Sequence, residues 1–157
     1  MPLLPADTPR PPADRRGVGA WGETQARGYL ERAGYRIIDA HVTAMGSELD
    51  LIAVQGDRVA FCEVRVRRTG TGPAAVASLG PRKRRALIAG AHAWMAAVVE
   101  MPPAWHFHFD LLCIEPAPGG RGWELTHLED AFTPESPWEA GRRGIGGRIA
   151  APRNPLR

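Results

Sequence analysis

Gly46 to Arg68 reads GSELDLIAVQGDRVAFCEVRVRR, two apolar runs on either side of a short polar break. Gln55-Gly56-Asp57-Arg58 is a hairpin signal, because Gly-Asp suits a two-residue loop. With Gly56 and Asp57 as the loop, Gln55 faces Arg58 and the register follows. Val54 then faces Val59, Ile52 faces Phe61, Asp50 faces Glu63 and Glu48 faces Arg65. Side chains alternate along a strand. One face therefore carries these pairs, and the other carries Leu49, Leu51, Ala53, Ala60, Cys62, Val64 and Val66. Both faces are largely apolar, as expected of central strands.

The exception lies at the end away from the turn. Asp50 and Glu63, directly opposite, would have side-chain origins about 4.5–5.5 Å apart. Two carboxylates so placed repel, and partial burial adds to the cost. A divalent cation between them is one solution, since Mg²⁺ is held by one or two carboxylates with waters and phosphate oxygens. Neutralisation by Arg65, leaving only a polar rim, is the other.

Working outward, WGETQARGYLERAGY (21–35) has the spacing of a first helix, with Gly34 as the residue after its end. YRIIDAHV is a first strand, and TGTGPAA a loop. PRKRRALIAGAHAWMAAVV is a second helix, with Leu87, Gly90 and Trp94 on one face. WHFHFDLLCI and WELTHLEDAF are the last two strands. The order α-β-β-β-α-β-β predicts an α/β fold, a mixed sheet covered by helices. Residues 19–132 form the expected domain. Residues 1–18, rich in proline, are expected as a disordered tail with no apolar segment of the signal-peptide kind. Residues 133–157 form a second tail rich in Pro, Gly and Arg.

The chain has 157 residues and a net charge of +3, unevenly spread. The segment 133–157 holds five Arg and two Glu, while 19–132 has 12 basic and 13 acidic residues, so the pI alone does not mark a nucleic-acid surface. Lys83 is the only lysine among 20 basic residues, a bias attributable to the coding genome. No apolar run approaches a membrane span. Cys62 and Cys113, each within an apolar strand pattern, fit buried thiols in a reducing cytoplasm. There is no phosphate-binding G-x-x-x-x-G-K-[ST] loop, no G-x-S-x-G elbow and no zinc-spaced Cys/His set.

Further candidates have two readings each. Arg82, Lys83, Arg84 and Arg85 open the second helix, where cations oppose the macrodipole. A bound phosphate would remove that conflict, and with Arg67 and Arg68 they make a candidate nucleic-acid-binding patch. A solvated charged turn is the alternative. His108 and Asp110, in HFHFD, share a strand face, which suits edge polarity better than a metal site. Trp21, Trp94, Trp105 and Trp123 fit packing better than base stacking.

The pattern Gly19, Gly22-Glu23, Ala26, Tyr29-Leu30, Gly34-Tyr35, Ile37, then Glu48, Asp50-Leu51-Ile52-Ala53, then Phe61, Glu63-Val64, Arg67 resembles the YraN family of bacterial proteins. Arg82-Lys83, Leu87, Phe109-Asp110 and Ala131-Phe132 continue it in order. That family is similar to the restriction-endonuclease-like superfamily with the PD-(D/E)xK motif, and to archaeal Holliday-junction resolvases. The resemblance implies a restriction-endonuclease-like fold and a metal-dependent nuclease acting on DNA, branched DNA included, with Mg²⁺ or Mn²⁺ as cofactor and a homodimer as an allowed assembly. Asp50 and Glu63 match the motif's acids, and Glu23 the helix-borne glutamate, giving three implied metal ligands. Arg65 stands where the motif has lysine. Guanidinium is larger and cannot act as a base at neutral pH. Either Arg65 is a tolerated replacement that weakens or abolishes activity, or Lys83 reaches the site from the second helix. The rival function is a non-catalytic nucleic-acid-binding module with a vestigial site.

Overall fold

In the computed structural model, which describes residues 3–68 and 75–134, the Gly56-Asp57 hairpin is the centre of the sheet. Gly56 has φ 60, the left-handed conformation that the first loop position of a tight two-residue hairpin can require. Around it β2 (Ser47–Gln55) and β3 (Arg58–Val66) pair antiparallel, with Gln55 opposite Arg58, Val54 opposite Val59 and Ile52 opposite Phe61. The full sheet is ordered β1-β2-β3-β4-β5, adding β1 (Arg36–Ala44), β4 (His106–Pro116) and β5 (Trp123–Phe132). Only the β3–β4 pair is parallel. Its crossover contains α2 (Pro81–Ala97), as a parallel connection needs. The α/β class, the mixed sheet and the α-β-β-β-α-β-β order are as the sequence indicates.

Strand alternation sends two sets of side chains to two helices. Ile52, Val54, Val59, Phe61 and Phe109 pack with Leu87, Ala91 and Trp94 of α2. Leu51, Ala53, Ala60, Cys62 and Leu112 pack with Trp21, Ala26 and Leu30 of α1 (Arg15–Arg32). Helix α1 sits close to the sheet at Gly22, where a Cβ would run into the stiff, β-branched side chain of Val66. It ends with Gly34 at φ 91, the Gly34 N–H donating to Glu31 O (3.1 Å) and the Tyr35 N–H to Leu30 O (2.9 Å), a glycine-terminated cap. Among the described residues, no helix is long and apolar enough to cross a membrane.

Three features differ from the sequence reading. Helix α1 begins at Arg15 rather than near Trp21, because Asp14 caps it by accepting from the Gly17 N–H at 2.7 Å. Upstream, Leu4 is buried and its N–H donates to Trp123 O (2.9 Å), Leu3 bridges Glu124, and the Trp21 indole donates to Pro9 O. Residues 3–14, expected within a disordered tail, thus lie along β5 and the start of α1. The third difference concerns the strand pair: the β2–β3 ladder stops at Leu51 opposite Cys62, so neither Asp50–Glu63 nor Glu48–Arg65 forms as a ladder pair. Residues 135–157, the second expected tail with Trp138, lie outside the described residues, as do 69–74 of the expected loop.

At the turn end of the sheet a buried carboxylate holds three strands together. Asp110 of β4, 1% exposed, accepts both Nη1 and Nη2 of Arg58 at 2.9 Å, His127 Nε2 at 2.7 Å and the Asp130 N–H at 3.0 Å. Burial alone would raise its pKa; the bonds from His127 and Arg58 outweigh that and hold it below the usual carboxylate range. Asp110 is therefore a buried partner of three strands rather than the edge polarity expected of HFHFD, and His108 pairs instead with Asp130, at 2.7 Å. Asp110→Ala leaves the Arg58 guanidinium without its main partner, and should lower unfolding free energy by about 3 kcal/mol or more. Urea denaturation checks this; a loss below about 1 kcal/mol would show that the network is dispensable.

Candidate functional site

The opposite end of the β2–β3 hairpin is built by what ends the ladder. In continued register, the Val64 N–H would donate across to the Leu49 carbonyl, because hydrogen-bonded pairs recur every second residue. It donates instead to Asp50 Oδ2, at 2.8 Å. On the other side of β2, the pairs Ala40–Leu51 and Val42–Leu49 leave His41 across from Asp50, and His41 has φ 52. A histidine in the left-handed region is uncommon and marks a local distortion of the strand. The β2–β3 ladder is thus broken at Asp50, while the β1–β2 register runs on unshifted past it. Past the break the alternation is lost: Leu49, expected on the face of Leu51, packs with the α2 side and lies close under Gly90.

Glu63 stays on β3, which remains paired to β4 through Glu63–Leu111 and beyond. It is 5% exposed. Its pKa is pushed up to about 7, first by burial and then by the charge of Asp50. The Asp50 pKa is also raised, again first by burial, against the lowering effect of the Val64 N–H and the Lys83 charge. The two acids expected to meet therefore do so electrostatically, without being a ladder pair.

Cations surround Glu63. Arg65 Nη2 lies 3.1 Å from Oε1, and Lys83 Nζ, from the first turn of α2, lies 3.3 Å from Oε2. The Lys83 contact is an ion pair without hydrogen-bond alignment, so Glu63 Oε2 is buried with no hydrogen bond, and so is Arg65 Nε. The expected Arg65–Glu48 pair is replaced. Once the ladder ends, Glu48 leaves β3 and meets His41 Nδ1 at 3.1 Å. His41 Nε2 also lies 3.1 Å from Glu23 Oε2, so one imidazole bridges two acids. Glu23 feels burial first, which raises its pKa, with the Asp50 charge adding to it, but its side chain is committed to His41. Among the described residues no three His, Cys, Asp or Glu side chains gather as a metal-binding group. Asp50 and Glu63 are the pair whose chemistry fits a hard divalent ion: two oxygen donors, one of them buried and without a hydrogen bond.

The basic candidates divide. Arg67 pairs with Glu115 at 3.4 Å, and Arg68 donates to the carbonyls of Pro12 and Ala13. Arg84 donates to Leu79 O and sits over the Phe132 ring, 5.7 Å from its centre. Arg82 and Arg85 are exposed on the first turns of α2. Arg15 and Arg68 line an open cleft of about 350 Å³ with Ala13, Val18 and Val66, beside the N-terminus of α1. His41 was not singled out in the sequence; its spacing from Glu48 across a tight β1–β2 turn was the available signal. Arg15 could have been found through the Asp14 cap.

A five-stranded mixed sheet between two helices, with paired carboxylates where the central hairpin splits, defines an α/β domain with an acidic–basic site at one sheet end. A family model described as "Uncharacterised protein family UPF0102" matches residues 22–114, and the chain belongs to this family, the YraN family of the sequence reading. A UPF0102 protein of Burkholderia mallei is 41% identical over 125 residues, covering 79% of this chain and 81% of its own. One from Burkholderia pseudomallei is 40% identical over the same shares. One from Herminiimonas arsenicoxydans is 37% identical over 112 residues, 71% of this chain and 88% of its own.

The raised carboxylates set a pH dependence. Glu63 holds its proton more tightly folded, at about 7, than unfolded, near 4.5. Its contribution to stability is therefore fully present below about pH 4.5 and is lost as pH rises through about 7. Without divalent metal, Glu63→Gln should gain stability relative to wild type as pH rises from 5 to 8. Thermal melts across that range in EDTA measure it. A constant difference between the two proteins would mean that Glu63 titrates normally.

Proposed function

We propose that the chain is a divalent-metal-dependent phosphodiesterase acting on DNA. The observation that carries this reading is the Asp50–Glu63 pair: two half-buried or buried acids of raised pKa at a split in the central hairpin, with a Glu63 oxygen lacking a hydrogen bond. The restriction-endonuclease-like resemblance of the motif residues supports it.

In this reading the Val64 N–H fixes Asp50 through Oδ2, leaving Oδ1 to face a cation. Glu63 presents Oε2 from β3, whose position is set by pairing to β4. A bound Mg²⁺ or Mn²⁺ would act as Lewis acid and lower the pKa of a water. Arg65 and Lys83 would bring positive charge to a phosphate that enters, preorganised by their contacts to Glu63. Arg82 and Arg85, exposed at the start of α2, extend that charge toward the backbone of the nucleic acid.

One observation favours a second reading, a nucleic-acid-binding module without catalysis. Each Glu63 oxygen already faces a cation, an arrangement that neutralises the acid without any metal. The two readings separate in a calorimetric Mn²⁺ titration paired with a cleavage assay on a four-way junction and a single strand. The nuclease reading expects Asp50→Asn to weaken Mn²⁺ by at least about tenfold, since even outer-ligand losses cost about 10–100-fold, and to reduce cleavage to background. Wild-type protein that binds DNA but neither binds Mn²⁺ nor cleaves would establish the binding module instead.

A further inference from the structure

We propose that Lys83 supplies the catalytic ammonium that β3 lacks, so that the first turn of α2 is part of the reacting end of the site. This rests on the nuclease reading above. The motif position on β3 holds Arg65, and the structure shows what that residue does. Its Nη2 is 3.1 Å from Glu63 Oε1 and its Nε is buried without a partner. The guanidinium is a planar fork, and here its Nη2 is engaged with Glu63 Oε1.

Lys83 approaches the other oxygen of the same carboxylate from α2, the helix that covers the Val59 and Phe61 face of β3. Its Nζ is 3.3 Å from Glu63 Oε2 without the alignment of a hydrogen bond, and its side chain is 33% exposed. An ammonium carries three donors on a flexible stem, so it can remain near Glu63 and still turn toward an incoming phosphate. Its place in the helix points the same way. Lys83 is the third residue of α2, where the macrodipole disfavours a cation. The N-cap Gly80 provides no side-chain hydrogen bond, leaving first-turn N–H groups directed outward. A phosphate on the Asp50–Glu63 pair would meet both the ammonium and that helix end. Lys83 is also the single lysine among twenty basic residues, retained in a chain that otherwise uses arginine.

The step assigned to Lys83 is electrostatic. A water oxygen forms the new bond to phosphorus while the ester P–O bond breaks. The attacking water gives its proton to solvent, and the departing oxygen takes one from solvent. The ammonium stays protonated throughout and donates to a non-bridging phosphate oxygen as charge builds there.

The test uses the full chain, a four-way junction and a single strand, with Mn²⁺ and saturating DNA. Lys83→Gln should slow single-turnover cleavage by about 10²-fold or more, with Mn²⁺ affinity, DNA affinity and the salt dependence of binding held near wild type. Lys83→Cys alkylated with 2-bromoethylamine, which restores an ammonium, should recover at least about tenfold of the lost rate; Cys62 and Cys113 are buried away from the reagent. Wild-type rate in Lys83→Gln, with cleavage lost in Asp50→Asn, would overturn the role of Lys83 and leave the nuclease reading standing. A loss confined to DNA affinity, with the log–log salt slope reduced by about 0.7–0.9, would make Lys83 a backbone contact and overturn it also. Absence of metal-dependent cleavage in the wild type would overturn both.

Discussion

The hydrogen bond from the Val64 N–H to Asp50 Oδ2 decides how this sheet ends. A carboxylate in a strand is a competitor for backbone donors, and here it wins one amide from the ladder. With that amide taken, β2 and β3 cannot continue as neighbours past Leu51 and Cys62. β3 carries on beside β4, while β2 bends away with β1 toward α2. The divergence opens the place in which Glu63, Arg65 and Lys83 meet. The same bond fixes one oxygen of Asp50. A continuous ladder would have set the two acids directly opposite each other, with side-chain origins about 4.5–5.5 Å apart.

The two ends of the central hairpin carry opposite solutions to a buried acid. At the turn end Asp110 takes its hydrogen bonds from Arg58, His127 and the Asp130 amide, and its pKa falls. At the split end Glu63 has two cations beside it, yet one oxygen without a hydrogen bond, and its pKa rises. Charge alone does not separate the cases, since both acids have cationic neighbours. Aligned donors do: they stabilise the ionised carboxylate of Asp110 directly, whereas burial and the Asp50 charge outweigh the ion pairs at Glu63. A fully satisfied acid is a structural clamp. An acid held near neutrality with an unsatisfied oxygen has capacity left for a ligand.

How much of this the sequence revealed follows from the range of each interaction. Gly56-Asp57 set a local turn, and the register it implied runs without error from Gln55–Arg58 to Leu51–Cys62. Beyond that point the extrapolation failed, because alternation assumes that backbone amides stay in the ladder. The competing Asp50 side chain and the left-handed His41 are not visible in a period-two pattern. Leu49 consequently appeared on the wrong face and Glu48 beside the wrong partner. The N-terminal stretch shows a different limit: its prolines suppress regular structure, yet Leu4 is buried, with one backbone bond to Trp123 O and a place in the α1-side core. The acids were readable as a group from strand spacing and the motif resemblance. Their cations were readable only as alternatives: Arg65 from the strand spacing, and Lys83, twenty residues from Glu63, as a group that the crossover could bring from the second helix.

That crossover joins the two questions of fold and site. Parallel pairing of β3 with β4 requires a long connection, and α2 fills it, covering the face that holds Phe61 and Trp94. Packing on that face sets the depth and direction of the helix: Leu87, Ala91 and Trp94 are buried, and the Trp94 indole donates to Asp39 Oδ2 at 2.9 Å. With the body of α2 so anchored, its first turn has little freedom, and Lys83 comes to lie on Glu63. A cation on β3 itself, as Arg65 is, shares the strand of Glu63 and moves with it. A cation on α2 is positioned by the core instead, independent of the split that creates the site. Glu63 is thus met from two elements fixed by different forces, β3 by ladder hydrogen bonds and α2 by apolar packing, a spacing of charges that neither strand nor helix could set alone.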